Sequence, residues 1–200
     1  MTTVDPQDIL FTTPTLNDAV PASVSSSVSR DSWHQMHEDD WRQFEFVSAS
    51  HRGEMASELE AIDRIWKEQS VPLGEQGTAF RSIHVRKGIT RPLDIPMSVS
   101  EFEGLLGGRA YPMTFIGGDK VLQDVHAIGL TNVIIYAVIE SDRMTTLGIE
   151  AVDRFAMTGD TADRLERFLV QHDLRLVHWR SRTLFETPQS AMEYLRGKGG

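Results

Sequence analysis

The sequence contains no cysteine, and this absence removes several kinds of site at once. Disulfides, thiolate nucleophiles, zinc fingers and iron–sulfur clusters all depend on cysteine, so none of them can operate here. The 200-residue chain is long enough to bury a substantial core without such cross-links. A chain without cysteine also fits a reducing compartment.

Long apolar runs are missing too. The longest, residues 133–139, has the length of a strand, whereas a membrane helix needs roughly 18 apolar residues. Residues 1–5 carry neither the basic start nor the apolar stretch of a signal peptide. We therefore expect a cytoplasmic protein that does not enter a membrane.

The sequence motifs of several common hydrolase and nucleotide-binding sites are absent. It has no Gly-x-Ser-x-Gly elbow and no Walker loop. The glycines at 104, 107 and 108 and those at 117 and 118 do not match the Gly-x-Gly-x-x-Gly spacing of dinucleotide sites. We assign them to turns and a helix end, and we expect no cofactor.

Positive charge is in short supply. The formal net charge is −9, and residues 1–60 hold 3 Lys and Arg against 11 Asp and Glu. Residues 161–200 reverse this balance, with 7 basic against 5 acidic residues. Neutralising phosphates supplies most of the affinity for nucleic acid, so an acidic chain indicates that nucleic acid is not the partner. The asymmetry favours a basic protein partner or head-to-tail self-association.

Hydrophobic periodicity predicts an α+β fold in which helices pack on one face of a mostly antiparallel sheet. We predict a flexible N-terminal arm over residues 1–30 and a single domain over 31–200. The expected helices are 32–40, 53–69, 98–106, 161–172 and 188–196. The expected strands are 41–48, 79–87, 120–128, 133–139, 146–155 and 174–182.

A short phrase occurs twice in the sequence. Residues 81–86 and 175–180 both read Arg-x-(Ile/Val)-His-x-Arg, and each follows an amphipathic helical stretch. One interpretation is an internal repeat of two pseudo-symmetric β-α-β halves, 41–88 and 131–186.

The repeated phrase also suggests a site. Alternation along a strand places His84 with Arg86, and His178 with Arg180, on the faces that we expect to lie away from the helices. Two arginines and two histidines converging on an open sheet face could bind a phosphate or carboxylate. A histidine there could also transfer protons, as in a hydrolase.

The acidic segment 31–45 supplies two further candidates. If residues 32–40 are helical, His34, His37 and Glu38 share a face and could contact a divalent metal, with His51 as a further ligand. The His-Glu-x-x-His spacing is absent, however, and we expect no metal site.

The same segment combines tryptophan with carboxylates, a composition typical of protein interfaces. We therefore expect a non-enzymatic inhibitor, immunity or adaptor protein. Its predicted contact residues are Trp33, Glu38, Asp39, Asp40 and Trp41. Two alternatives stay open: a small-anion-binding protein or hydrolase that uses the histidine and arginine pairs, and a homo-oligomer joined by the N-terminal arm.

Overall fold

A computed structural model describes residues 9–131, 133–151 and 157–197. In chain order its elements are β1 (Thr15–Asn17), β2 (Ser23–Val24), β3 (His34–Met36), β4 (Phe44–Ser48), α1 (Arg52–Gln69), β5 (Ser70–Pro72), β6 (Thr78–Phe80), β7 (His84–Arg86), β8 (Ile95–Pro96), α2 (Val99–Leu106), β9 (Tyr111–Phe115), β10 (Val121–Leu122), β11 (Val125–Leu130), β12 (Val133–Glu140), β13 (Arg143–Ala151), α3 (Gly159–Gln171), β14 (Leu174–His178), β15 (Thr183–Phe185) and α4 (Pro188–Leu195).

The main element of the fold is a nine-stranded sheet. Its order is β15-β14-β4-β13-β12-β11-β9-β3, and β8 lies beside β13. Every pair in it is antiparallel except β3 with β9. Three two-stranded sheets (β1 with β7, β2 with β10, β5 with β6) flank it. The predicted α+β class with a mostly antiparallel sheet is confirmed.

One face of the large sheet packs against α2, α3 and α4. Phe46 on β4 and Leu176 on β14 point to this face and are fully buried. The helix α3 turns a complete apolar stripe toward them, as its 3.6-residue periodicity predicts. That stripe consists of Ala162, Leu165, Phe168 and Leu169. This core is the largest in the molecule because three helices share one sheet face.

Beside β4 and β14, the opposite face is covered by α1. Val47 and Val177 alternate away from Phe46 and Leu176 and contact Met55 and Ile62 of α1 instead. The expectation that helices pack on one face therefore holds for α2, α3 and α4, and α1 covers the other. In the part of the chain that the structure describes, no helix has the length and apolar composition needed to cross a membrane.

The helix ends follow local sequence signals. Ser98 accepts a hydrogen bond from the backbone of Glu101, whose carboxylate in turn accepts from the backbone of Ser98, which is a capping box. Gly107 ends α2 in the left-handed conformation, with φ of 70°. Thr187 caps α4, and Pro188 occupies its first position. These predicted boundaries are confirmed.

The predicted helix over residues 32–40 is wrong. Two 3-10 turns, Arg30–Ser32 and Glu38–Asp40, flank strand β3 instead. That strand pairs in parallel with β9 and buries Met36 completely. A non-local pairing thus overrides the local helical pattern.

Three predicted strands are shorter than expected or divided. The range 79–87 splits into β6 and β7, and 120–128 splits into β10 and β11 at Asp124, which has a φ of 59°. The range 174–182 ends as a strand at His178, before a turn in which Arg182 has a φ of 59°. The predicted strand 146–155 is observed in part as β13, and its residues 152–155 lie outside the described part.

The topology does not support the internal repeat. The first copy of the phrase contributes β7, which pairs with β1 in a separate two-stranded sheet. The second contributes β14, which lies inside the large sheet between β4 and β15. Strands in such different surroundings cannot be related by a twofold axis that superimposes two β-α-β halves.

Residues 9–30 of the predicted N-terminal arm make defined contacts with the rest of the chain. Their strand β1 pairs with β7, and Phe11 bridges Phe80. Thr13 and Thr15 are buried. Ile9 and Leu10 are exposed. Association of copies through this segment stays a prediction.

Tyr136 and Gly148 face each other on β12 and β13, and we expect this glycine to be indispensable. A Cβ atom at 148 would overlap the Tyr136 ring, which is fully buried and whose hydroxyl accepts a hydrogen bond of 2.9 Å from the backbone of Arg42. Gly148→Ala should therefore lower the free energy of unfolding by about 3 kcal/mol or more, measured by chemical denaturation.

The matched control is Gly104→Ala in α2. Gly104 is exposed, and a Cβ atom there meets no other group within 4 Å. This substitution should raise stability by about 0.5–1 kcal/mol because alanine loses less backbone entropy in a helix. A tolerated Gly148→Ala would show that the Tyr136 ring can move, against the packing described here.

Candidate functional site

A cavity of about 310 Å³ lies where strand β4 begins, between β13 and β14. It combines a carboxylate pair, a guanidinium, an imidazole, an amide and two aromatic rings. Its lining residues are Asp40, Gln43, Phe44, Ile149, Glu150, His178, Arg180 and Tyr194.

The strand register explains why a cavity forms here. On β13, Gly148 is the last residue paired with β4, opposite Glu45, although β13 continues to Ala151. On the other side, β14 pairs with β4 as far as His178 opposite Phe44. Strand β13 therefore extends beyond the start of β4, whereas β14 ends level with it. A notch is left, and side chains from both strands and from the turn before β4 line it.

Gln43 forms a fixed part of this lining. Its side chain is 4% exposed, and Nε2 donates to the carbonyl oxygens of Thr15 at 2.6 Å and Asp39 at 2.9 Å. Because a reversed amide would turn its oxygen toward two carbonyl oxygens, these bonds fix the orientation of the group. Oε1 is buried and accepts no hydrogen bond from any described residue.

Arg180 and Asp40 form an ion pair at the cavity wall. Nη2 of Arg180 donates to Oδ1 of Asp40 at 2.9 Å, and both side chains are more than a third exposed. Such a pair contributes little to stability because water screens it. The Nε of Arg180 is nevertheless buried and has no partner among the described residues.

Glu150 is the most perturbed carboxyl group of the cavity. Desolvation, with a smaller contribution from the negative charge of Asp40, raises the pKa of Glu150 to about 7. Its Oε2 atom is buried and has no hydrogen-bond partner within the described residues. This carboxyl therefore changes charge near neutral pH, inside a cavity that also holds a buried amide oxygen.

His178 is shifted in the opposite sense. Burial, with a smaller contribution from the positive charge of Arg180, lowers the pKa of His178 to about 4. Its Nδ1 atom contacts the hydroxyl of Ser181, and its ring lies edge-on to Phe44 at 4.9 Å between centroids. The imidazole is therefore neutral at physiological pH and is held in one orientation.

A buried ionic cluster holds the turn that carries Gln43 and Phe44. Glu45, which is fully buried, accepts from Arg42 Nε at 2.7 Å and from Trp179 Nε1 at 2.8 Å. Arg86 lies 3.4 Å from the same carboxylate and donates to the Arg42 carbonyl at 2.8 Å. Its guanidinium also lies over the Trp179 ring. Gln43 and Phe44 therefore lie between Arg42 and Glu45, whose side chains are fixed by these contacts.

The structure separates the two predicted histidine and arginine pairs. His178 and Arg180 line the cavity, as proposed for a binding site. Arg86 is 2% exposed within the Glu45 cluster, and His84 contacts Glu58 on α1. The predicted convergence is wrong because β7 belongs to a separate two-stranded sheet and Arg86 is buried against the carboxylate of Glu45.

The predicted acidic contact surface is only partly at the surface. Glu38 is exposed, and Asp39, Asp40 and Trp33 are half-buried. Trp41 is not a surface residue: it is 2% exposed, stacks on the Tyr136 ring at 5.1 Å and donates to the backbone of Ala19. Binding of a protein partner by the remaining residues stays a prediction.

The candidate metal ligands do not gather. His34 lies on β3, His37 caps the following 3-10 turn through Asp39, and His51 ends the 3-10 turn before α1. Without a helix over 32–40, the i, i+4 spacing of His34 and Glu38 has no meaning. Across the described ranges, no three His, Asp or Glu side chains are grouped to hold a metal ion.

Sequence reasoning missed Gln43, Phe44, Glu150 and Tyr194 as cavity residues. Glu150 carries a signal that could have been used, since a carboxylate interrupts an apolar stretch near the end of a strand. Gln43 and Tyr194 carry none, because only the register of β4 and the docking of α4 bring them together.

Known proteins give no further guidance on this cavity. Comparison with family models, with curated proteins and with solved structures finds no match for this chain. The chemistry of the lining residues is therefore the basis on which a function can be inferred.

We expect Glu45→Gln to destabilise the protein by about 3–5 kcal/mol, because it leaves two buried arginines without their shared counter-charge. Glu60→Gln on the exposed side of α1 should change stability by no more than about 0.5 kcal/mol. Urea denaturation of both variants measures the difference. Equal effects would show that the Glu45 charge is dispensable.

The raised pKa of Glu150 predicts a specific pH dependence of stability. The unfolded chain loses this proton near the ordinary value of 4.5, and the folded protein loses it near 7. Raising the pH through this window therefore lowers the free energy of unfolding. Glu150→Gln should be more stable than the natural protein above pH 7, and the difference should shrink toward pH 4.5.

The measurement is denaturant unfolding at a series of pH values. The matched control is Glu193→Gln, which removes an exposed carboxyl from α4. A constant difference between Glu150→Gln and the natural protein across the window would mean that Glu150 titrates normally.

Proposed function

We propose that this protein binds a small polar organic molecule in the cavity between β13 and β14. The volume of about 310 Å³ is at the lower end of the range that ligand sites occupy. The cavity also unites apolar surface with a few fixed polar groups, a combination typical of ligand sites. This proposal develops the alternative that assigned His178 and Arg180 to ligand binding.

The unpartnered amide oxygen of Gln43 carries the proposal. A buried carbonyl oxygen without a hydrogen bond costs free energy, and native proteins rarely retain one. Gln43 has its Nε2 fully engaged, its Oε1 is buried without a partner among the described residues, and the residue lines a cavity together with Glu150 and Arg180. Both of those neighbours have buried atoms in the same unpartnered condition. A bound ligand would supply hydrogen-bond partners that the described residues do not.

The opposite pKa shifts in one cavity also support a binding site. Perturbed titrations of this kind are concentrated at functional sites, where burial and neighbouring charge are arranged around a ligand. His178 stays neutral and Glu150 titrates near neutrality, so the cavity presents both an uncharged ring and a carboxyl whose charge a ligand can change.

A thermal-shift screen tests the proposal. The compounds are small amines, carboxylates, phosphate and neutral alcohols. A ligand present at about 100 times its dissociation constant adds about 2.7 kcal/mol to stability. For a chain of this length, that corresponds to an increase in Tm of about 5–10 °C.

Two matched variants locate the effect. Asp40→Asn changes a cavity residue, and Asp39→Asn changes its neighbour on the same 3-10 turn, which does not line the cavity. The shift should be reduced or lost in Asp40→Asn and kept in Asp39→Asn. If no compound raises Tm, or if the shift is the same in both variants, the cavity is not the binding site.

A further inference from the structure

Among the described residues of the cavity, more acceptors than donors lack a hydrogen-bond partner. Gln43 Oε1 and Glu150 Oε2 are two buried acceptor oxygens without a donor among the described residues, whereas Arg180 Nε is one buried donor without an acceptor. The ligand that completes this set carries several N–H donors and at least one acceptor. An ammonium group supplies three donors at a single atom.

The charges lining the cavity favour a cation. Asp40 and Arg180 neutralise each other across 2.9 Å, and His178 is neutral. Among the described lining residues, an ionised Glu150 therefore leaves one net negative charge, and Tyr194 is the remaining titratable group. An anion would meet both Asp40 and Glu150, and Arg86 lies elsewhere in the buried cluster.

The aromatic walls suit the same kind of ligand. The rings of Phe44 and Tyr194 stand perpendicular, at 89°, with centroids 5.9 Å apart. Both residues line the cavity, as Glu150 does. The π face of an aromatic ring attracts a positive charge, and this attraction grows where water is excluded.

We infer that the ligand of this cavity is a small organic ammonium ion whose nitrogen binds between Gln43 Oε1 and the Glu150 carboxylate. This inference rests on the proposed function, because it names the chemical class of the molecule that the cavity binds. Arg180 Nε then donates to an oxygen on the same molecule, so amines that also bear a hydroxyl or carbonyl fit best.

The inference predicts whether protons are released or taken up on binding, and this direction can be measured. A cation stabilises the ionised form of Glu150, so binding below its pKa releases a proton, and affinity rises as the pH approaches 7 from below. An anion would have the opposite linkage: it would bind with proton uptake and lose affinity as the pH rises. The direction of proton transfer therefore separates the two ligand classes.

Isothermal titration calorimetry measures this directly, in two buffers of different ionisation enthalpy at about pH 6. The probes are ethanolamine, propylamine and benzylamine, each compared with the neutral alcohol of similar shape: ethylene glycol, propanol and benzyl alcohol. Acetate, benzoate and phosphate represent the anions. We expect an amine to bind at least about tenfold more tightly than its alcohol and to release up to about one proton.

Glu150→Gln keeps the shape of the side chain and removes its charge. It should weaken amine binding by about 10–100-fold and abolish proton release. Glu193→Gln removes an exposed carboxylate from α4, the helix that carries Tyr194, and should change neither. Because proton release is measured on the natural protein, the test does not depend on how well the variant folds.

Each outcome decides between the two proposals. Binding of an anion with proton uptake, changed in Asp40→Asn but not in Asp39→Asn, would overturn the ammonium inference and leave the small-molecule site standing. Amine binding without proton release, or unaffected by Glu150→Gln, would also overturn the inference. If none of the probes binds, both proposals fail.

Discussion

The fold depends on one buried carboxylate. Glu45 lies on a central strand with no exposed surface, and Arg42, Arg86 and Trp179 all donate to it. Burying these charges is expensive, and the cost is offset only while every donor and acceptor is paired. The cluster therefore ties β4, β7 and β14 to one another. Through Asn17, which accepts from Arg42, it also ties the N-terminal segment to the sheet.

The cavity is a consequence of the same cluster. Arg42 adopts a left-handed φ of 53°, so the chain turns sharply just before β4 and presents Gln43 and Phe44 at the strand end. A longer β4 would pair with the end of β13 and fill the notch. Instead, Ile149 and Glu150 of β13 line the cavity, and Glu150 is held where water solvates it poorly. The turn at Arg42 and Gln43 thus belongs both to the buried ion cluster and to the cavity that contains the titratable Glu150.

Sequence periodicity predicted what local interactions determine. The predicted helices 98–106, 161–172 and 188–196 depend on periodicity and end signals a few positions apart, and they are found close to their expected bounds as α2, α3 and α4. The helix over 32–40 failed because Met36 is buried by pairing with β9, almost eighty residues away in the chain. The cavity depends on the register of three strands, and periodicity carries no information about register.

The two arginines of the repeated phrase show why alternation alone cannot locate a site. Alternation states which residues share a face of a strand, but it does not state which face is buried. Arg86 points inward and Val85 outward because Glu45 already lies inside and requires a counter-charge. Arg180 pairs with Asp40 at the cavity wall and stays partly exposed. In each copy, the position of the opposing carboxylate decides whether the guanidinium stabilises the core or lines the cavity.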